Sequence, residues 1–151
     1  MQQKMKYLGT CGITGLLALL IALSAFKKDE LGSWKEKQLM LPELLAGRIV
    51  KGDTSNLLIL NTGPVEDIKG AVNIGAVEDA KNLTRLKDYL QQVPKDKEIV
   101  LYCGCCPLSV CPNLHPAYDM LKGMRFSNYR VLRLTHDLQE DWIDKGYPVQ
   151  P

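Results

Sequence analysis

The sequence predicts an α/β fold built on a mostly parallel sheet, and three observations carry that expectation. Short apolar runs recur along the chain at residues 57–60, 71–74, 99–102 and 130–134. Segments with helical spacing of apolar residues lie between them, and turn residues punctuate the joins. A chain that alternates strand and helix buries its strands as one sheet between helical layers. With 151 residues, 46% of them hydrophobic, there is material for one well-filled core.

The first segment is read as an address. Lys4 and Lys6 precede an uncharged stretch of 19 residues, 8–26, richest in leucine at 16–23. A basic start, an apolar centre and small residues at Ala22 and Ser24 resemble a bacterial export signal cleaved after Ser24. The same stretch nearly matches the ~20 apolar residues that span a bilayer, so an uncleaved anchor is the rival reading. In both cases the basic end stays in the cytoplasm and the rest is exported. The expected division is therefore 1–24 signal peptide or membrane anchor, 25–38 charged linker and 39–151 folded domain. The expected location is periplasmic or secreted, with residues 8–26 holding it to the inner membrane if they are retained. Without Lys4 and Lys6, 17 basic residues stand against 17 acidic ones. That balance gives no basic footprint for nucleic acid, and a membrane partner only through the N-terminal segment.

Within the domain, Pro42 to Ala46 reads as a short helix closed near Gly47, followed by the strand at 57–60 and the turn residues Asn61, Thr62, Gly63 and Pro64. A second short strand is expected at 71–74. Leu83, Leu86, Leu90 and Val93 then recur at helical spacing, with Asn82 as cap and Pro94 as stop. The strand ending at Tyr102 leads into a loop and a helix at 112–122, with Gly123 near its end. A strand at 130–134 and a helix at 138–145 complete the series.

Four of the five cysteines fall in that one loop, at Cys103, Cys105, Cys106 and Cys111. The loop joins a strand end to a helix start, a frequent address for chemistry in α/β proteins. Free N–H groups at a helix start favour anions and lower a thiol's pKa.

The order of elements, the segment Ile68-Lys69-Gly70-Ala71-Val72-Asn73-Ile74 and the closing Trp142-Ile143-Asp144-Lys145-Gly146-Tyr147-Pro148-Val149 resemble a single-domain rhodanese over roughly residues 39–149. The resemblance implies a rhodanese-like sheet flanked by helices, with Cys103 as the catalytic cysteine that carries sulfur as a persulfide. It implies a small sulfur donor and a thiol or cyanide-like acceptor as partners, and no cofactor. The sequence departs from the family in four places. Asn61-Thr62-Gly63 stands where an Asp-x-Arg type sequence is usual. The usual Gly-His before the first motif and glycine pair before the last helix are missing. The cysteine loop, with Gly104, Pro107 and Ser109 among its thiols, is longer than usual and contains no arginine. The phosphatase branch of the fold needs an arginine six positions after its cysteine. Those positions hold Ser109, Cys111, Pro112 and Ala117, so phosphoryl transfer is excluded.

Three readings of the accessory thiols Cys105, Cys106 and Cys111 stand side by side. One of them resolves a persulfide or an oxidised Cys103, which makes the protein a redox-coupled sulfurtransferase or a thiol oxidoreductase. Alternatively, Cys103, Cys105, Cys106 and Cys111, with His115, bind Cu(I) or zinc, both of which suit thiolate. Or the cysteines staple the loop as disulfides in an oxidising compartment. His136 reads as a capping or surface residue, Trp142 as a core anchor, and Asn61 and Asp67 as polar turn residues.

Overall fold

The computed structural model describes residues 31–151. The export segment expected at 1–24 and the start of the linker lie outside the described residues. Five strands form one all-parallel sheet: β1 (Leu39–Met40), β2 (Leu57–Asn61), β3 (Ala71–Asn73), β4 (Glu98–Tyr102) and β5 (Tyr129–Leu132), in the order β1-β5-β4-β2-β3. The helices are α1 (Pro42–Lys51), α2 (Ala80–Leu90) and α3 (Leu114–Gly123), and one π-helical turn spans Gln139–Ile143. No helix among the described residues is long and apolar enough to cross a membrane.

Helix α1 runs through Gly47, where the sequence suggested a stop, and ends at Gly52, whose left-handed φ of 73° closes it. An isolated glycine inside a helix costs stability without ending it; a glycine in the left-handed conformation ends it. Helix α2 starts earlier than expected because Asp79, rather than Asn82, is its cap, accepting a hydrogen bond from the Lys81 N–H. Asn82 lies inside the helix and donates to the Ala76 carbonyl. The last expected helix is reduced to the π turn around Trp142, whose ring is fully buried with its N–H donating to the Pro148 carbonyl.

Strand side chains alternate between the two faces of the sheet, so each strand feeds two apolar layers. Along β4, Ile99 and Leu101 enter the layer shared with α2 and α3, while Val100 and Tyr102 enter the layer shared with α1 and Trp142. Cys103 continues the alternation into the first layer. Leu31 and Trp34, in the stretch expected as linker, are buried there too.

The topology fixes where a site can form. From β2 the chain turns towards β3 at one edge, and from β4 it leaves through α3 to β5 on the opposite side. The two loops diverge at the carboxyl ends of β2 and β4, and such a switch point leaves a crevice in the sheet's rim. The residues at that rim are Asn61, Thr62 and Gly63 from one loop and Cys103, Gly104 and Cys105 from the other.

Candidate functional site: a thiol cluster at the switch point

Cys103 follows β4 directly and is buried, with 1% of its surface exposed. Its position is tight from the β2 side. A Cβ on Gly63 would lie 2.5 Å from the Cys103 sulfur and 2.7 Å from its carbonyl oxygen, so only glycine fits there. Thr62 ties the two loops together, its N–H and hydroxyl both donating to the Tyr102 carbonyl, at 2.8 and 3.0 Å.

Gly104 has φ of 72°, and a side chain on it would meet Leu138 Cβ at 2.7 Å. That left-handed residue turns the chain back, so the sulfurs of Cys103 and Cys105 lie 3.1 Å apart. Cys105 is exposed and its sulfur also sits 3.3 Å from that of Cys106. Further on, the loop is anchored by Leu108, which is buried, donates its N–H to Leu134 and accepts from the Trp34 indole. Val110 closes a turn onto the Pro107 carbonyl, and Ser109 packs so closely on Gly32 that a Cβ there would lie 2.9 Å from the Ser109 oxygen. The anchored loop then brings Cys111 back beneath the site. The sulfurs of Cys103, Cys105 and Cys111 all lie within 4.8 Å of one another, and all four cysteines of the loop are free thiols.

Two of the residues expected near a metal stand apart from this trio. Cys106 lies outside it and meets the Cys105 sulfur at 3.3 Å. His115 stacks on the Trp34 ring at 4.3 Å and its Nε2 pairs with the Ser33 hydroxyl at 3.0 Å, so it holds the N-terminal segment against α3. His136 lies elsewhere, paired with Asp141 at 3.1 Å.

The residue that sequence reasoning missed is Asn113. It occupies the position before α3 where an asparagine normally caps the helix, yet makes no cap hydrogen bond. Instead its buried amide bridges two loops, its own and the one that precedes α2. Its oxygen accepts from the Glu78 N–H at 2.9 Å, and its nitrogen donates to the sulfurs of Cys103 at 3.4 Å and Cys105 at 3.9 Å. Gly63 was likewise read only as a turn residue. The signal available for both was position, an amide just before a helix start and a glycine just after a strand end.

These donors decide which thiol ionises. The Cys103 pKa is brought down to about 6, first by the Cys111 thiol as hydrogen-bond donor, then by the N–H and thiol of Cys105 and by the Asn113 amide, all against the cost of burial. Cys111 is pushed far up because its proton is held on the Cys103 sulfur, with burial adding to the effect. Cys105 rises to about 12, through the burial of its sulfur and its contacts with Cys103 and Cys106. These shifts favour a single negative charge in the trio, on Cys103, with two thiols and an amide around it and no arginine in the loop. Access is from the Cys105 side. A cleft of about 510 Å³ there is lined by Gly104, Cys105, Pro64, Glu66, Asp137 and Leu138, among others, and by no lysine or arginine among the described residues.

No protein-family model matches the sequence, and no curated protein matches it. A solved structure does: the solution NMR structure of a rhodanese-like domain from Anabaena sp., 18% identical, covering 75% of this chain and 78% of that one, with a TM-score of 0.53. At that identity the likeness speaks for architecture, and it agrees with the five-stranded parallel sheet and its flanking helices. The chain has a rhodanese-like fold, with a cysteine cluster at its switch point.

Proposed function

We propose that the protein is a sulfurtransferase or sulfur-relay protein in which Cys103 carries sulfur as a persulfide. The observation that carries the reading is the solvation of the Cys103 sulfur by Cys111, Cys105 and Asn113, which favours a thiolate at neutral pH. A thiolate is the nucleophile that takes sulfane sulfur from a donor. Cys103 attacks the donor's outer sulfur, the donor leaves as its thiolate, and the new persulfide anion inherits the same donors. With Glu66 and Asp137 on the cleft and no lysine or arginine among the described residues that line it, thiosulfate, whose sulfonate end needs a cationic clamp, is disfavoured, and sulfane sulfur borne on a sulfur chain or a thiol is favoured.

The test is mass spectrometry of the reduced full chain after anaerobic incubation with thiosulfate, inorganic polysulfide or glutathione persulfide. The expected result is one added sulfur, about 32 Da, on Cys103 from the latter two donors, transferable to cyanide or a thiol, and none in Cys103→Ser. No loading from any donor, with all four loop thiols shown to be reduced, overturns the reading.

A second reading is favoured by the three sulfurs within 4.8 Å, a donor set suited to Cu(I) in a three-coordinate thiolate site, or to zinc with a further ligand. Here Cys103, Cys105 and Cys111 would be the ligands. Competition against a Cu(I) chelator under anaerobic conditions should then give one tightly held ion, lost in Cys111→Ser. Metal-free protein after incubation and desalting removes it.

Export completes the proposal, supported by Lys4 and Lys6 followed by the uncharged stretch 8–26. Residues 1–38 fused to a reporter active only outside the cytoplasm should give activity. An inactive reporter overturns the export reading.

A further inference from the structure

Cys105 is the one sulfur of the trio that belongs to an exposed residue on the cleft, and it sits on Cys103 rather than beside it. Resting on the persulfide reading above, we propose that the Cys103-Gly104-Cys105 pair discharges its own persulfide as hydrosulfide. In that step Cys105 closes a disulfide onto Cys103, and an external dithiol then reopens it.

Three features of the geometry point to this pair. The two sulfurs are 3.1 Å apart, so a bond of about 2.05 Å needs an approach of only about 1 Å. The residue between them is a glycine at φ 72°, the conformation that puts both side chains on one side of so short a loop. Cys105 belongs to an exposed residue, so it is free to make that approach, whereas Cys103 and Cys111 are fixed in the apolar layer. Cys106, though 3.3 Å from Cys105, is its chain neighbour, and a bond between adjacent cysteines would have to distort the peptide joining them.

The step balances without an added base. The persulfide is an anion, Cys103–S–S⁻, and Cys105 is a thiol. The Cys105 proton passes to the outer sulfur as the Cys105 sulfur attacks Cys103 Sγ. The bond between Cys103 and the outer sulfur breaks, the Cys103–Cys105 bond forms, and HS⁻ departs. The outer sulfur is reduced from the persulfide level to sulfide and the Cys105 sulfur is oxidised from thiol to disulfide, while Cys103 Sγ keeps its oxidation state. An external dithiol, by two exchange steps, returns both to thiols and itself becomes a disulfide. The net activity is reduction of sulfane sulfur to sulfide at the expense of a dithiol.

The experiment uses the full chain, reduced, loaded anaerobically with glutathione persulfide and desalted, then followed by intact mass and sulfide release with no acceptor added. Wild type should pass from about 32 Da above the reduced mass to about 2 Da below it, releasing about one equivalent of sulfide per chain. Peptide mapping should find Cys103 joined to Cys105. Cys105→Ser should trap the added sulfur on Cys103, with release at least about ten-fold slower until an external thiol is supplied. Cys106→Ser, outside the trio, should release as wild type does. Release that survives Cys105→Ser, a disulfide mapped to Cys111, or a wild-type persulfide as long-lived as that of Cys105→Ser overturns the proposal while leaving persulfide loading intact. If neither protein ever gains sulfur or yields sulfide, the persulfide reading fails and takes this step with it. Equilibration in buffers of oxidised and reduced dithiothreitol is an independent arm. It should produce the Cys103–Cys105 disulfide in wild type, and its absence at the oxidising end overturns the pairing.

Discussion

The last residue of β2 and the loop that leaves β4 each supply a fully buried asparagine, and the two amides are used in opposite ways. Asn61 spends its hydrogen bonds on its own loop, accepting from the Gly63 N–H at 2.9 Å and donating to the Val65 carbonyl and the Asp67 carboxylate, both at 2.9 Å. It builds the wall on which the site rests. Asn113 leaves its helix uncapped, fixes one end to Glu78 and turns its donor onto two sulfurs. A buried amide with good backbone partners is ordinary satisfaction of polar groups. One aimed at polarisable sulfurs, at the expense of its own helix, marks where the structure gives up local stability to stabilise a charge. The difference separates scaffold from chemistry more sharply than the cysteine count does.

The largest way to break this arrangement is at the wall. Gly63→Ala would drive a methyl group to 2.5 Å from the Cys103 sulfur and 2.7 Å from its carbonyl oxygen. Overpacking of this kind should cost about 3 kcal/mol in a denaturant titration and abolish sulfur loading. Adding Cys103→Ala should recover only part of the stability, because the clash with the carbonyl oxygen remains. Full stability in Gly63→Ala would mean that the β2 loop yields freely and is not a wall.

The next effect contrasts the two amides directly. Asn113→Asp keeps an oxygen for the Glu78 N–H but turns a carboxylate towards the Cys103 sulfur. The pH midpoint of Cys103 alkylation by iodoacetamide, expected near the value of about 6, should move up towards the ordinary thiol range. Asn61→Ala should cost comparable stability, about 2 kcal/mol, through the orphaned Gly63 N–H, while leaving that midpoint in place. Equal shifts in both variants would erase the distinction.

A smaller effect is read in the pH dependence of stability. The folded-state pKa of Cys103 lies below that of an unfolded thiol, so its contribution is fully present above the unfolded value and is lost as pH falls through about 6. Cys105 and Cys111 are raised, so their contributions are present below the unfolded value and fade as pH rises through their folded values. Between about pH 6 and 8, below the ordinary thiol value of about 8.5, Cys103 is the one of these three thiols whose contribution changes, and the unfolding midpoint should climb with pH in that window. Cys103→Ser should remove the climb.

The sequence made the sheet legible because its strands are short apolar runs with turn residues at both ends, and β2, β3 and β4 lie where those runs are. It made the site's address legible because four cysteines follow a strand. Helix ends were harder. Gly47 and Gly52 look alike in sequence, and only the backbone conformation of Gly52 makes it the stop. Asn82 and Asp79 are both plausible caps, decided by one hydrogen bond. Gly63 and Asn113 act through contacts across 40 and 10 residues of sequence, and no local pattern encodes what lies on the other side of a crevice. The absent arginine was legible, but its replacement by two thiols and an amide was not, because that depends on the loop folding back so that Cys111 returns beneath Cys103.

The smallest expected effect tests whether that folding back, rather than cysteine content, defines the site. In the sequence Cys105 and Cys106 are adjacent and chemically equal. In the structure Cys105 lies within the trio, while Cys106 packs against the apolar layer from outside and meets the cluster at the Cys105 sulfur. Cys106→Ser should therefore change stability by no more than about 0.5 kcal/mol. It should leave the alkylation midpoint of Cys103, sulfur loading and sulfide release where they are in wild type. Cys111→Ser, a substitution of the same chemistry five residues on, should raise that midpoint, because it replaces the sulfur that donates to Cys103 with a smaller group seated farther from it. Placing the two side by side holds composition constant and varies only position. If Cys106→Ser shifted the midpoint as far as Cys111→Ser, the loop would be acting as an undifferentiated pool of thiols. The division into a buried charge, two donors and one bystander would then be wrong.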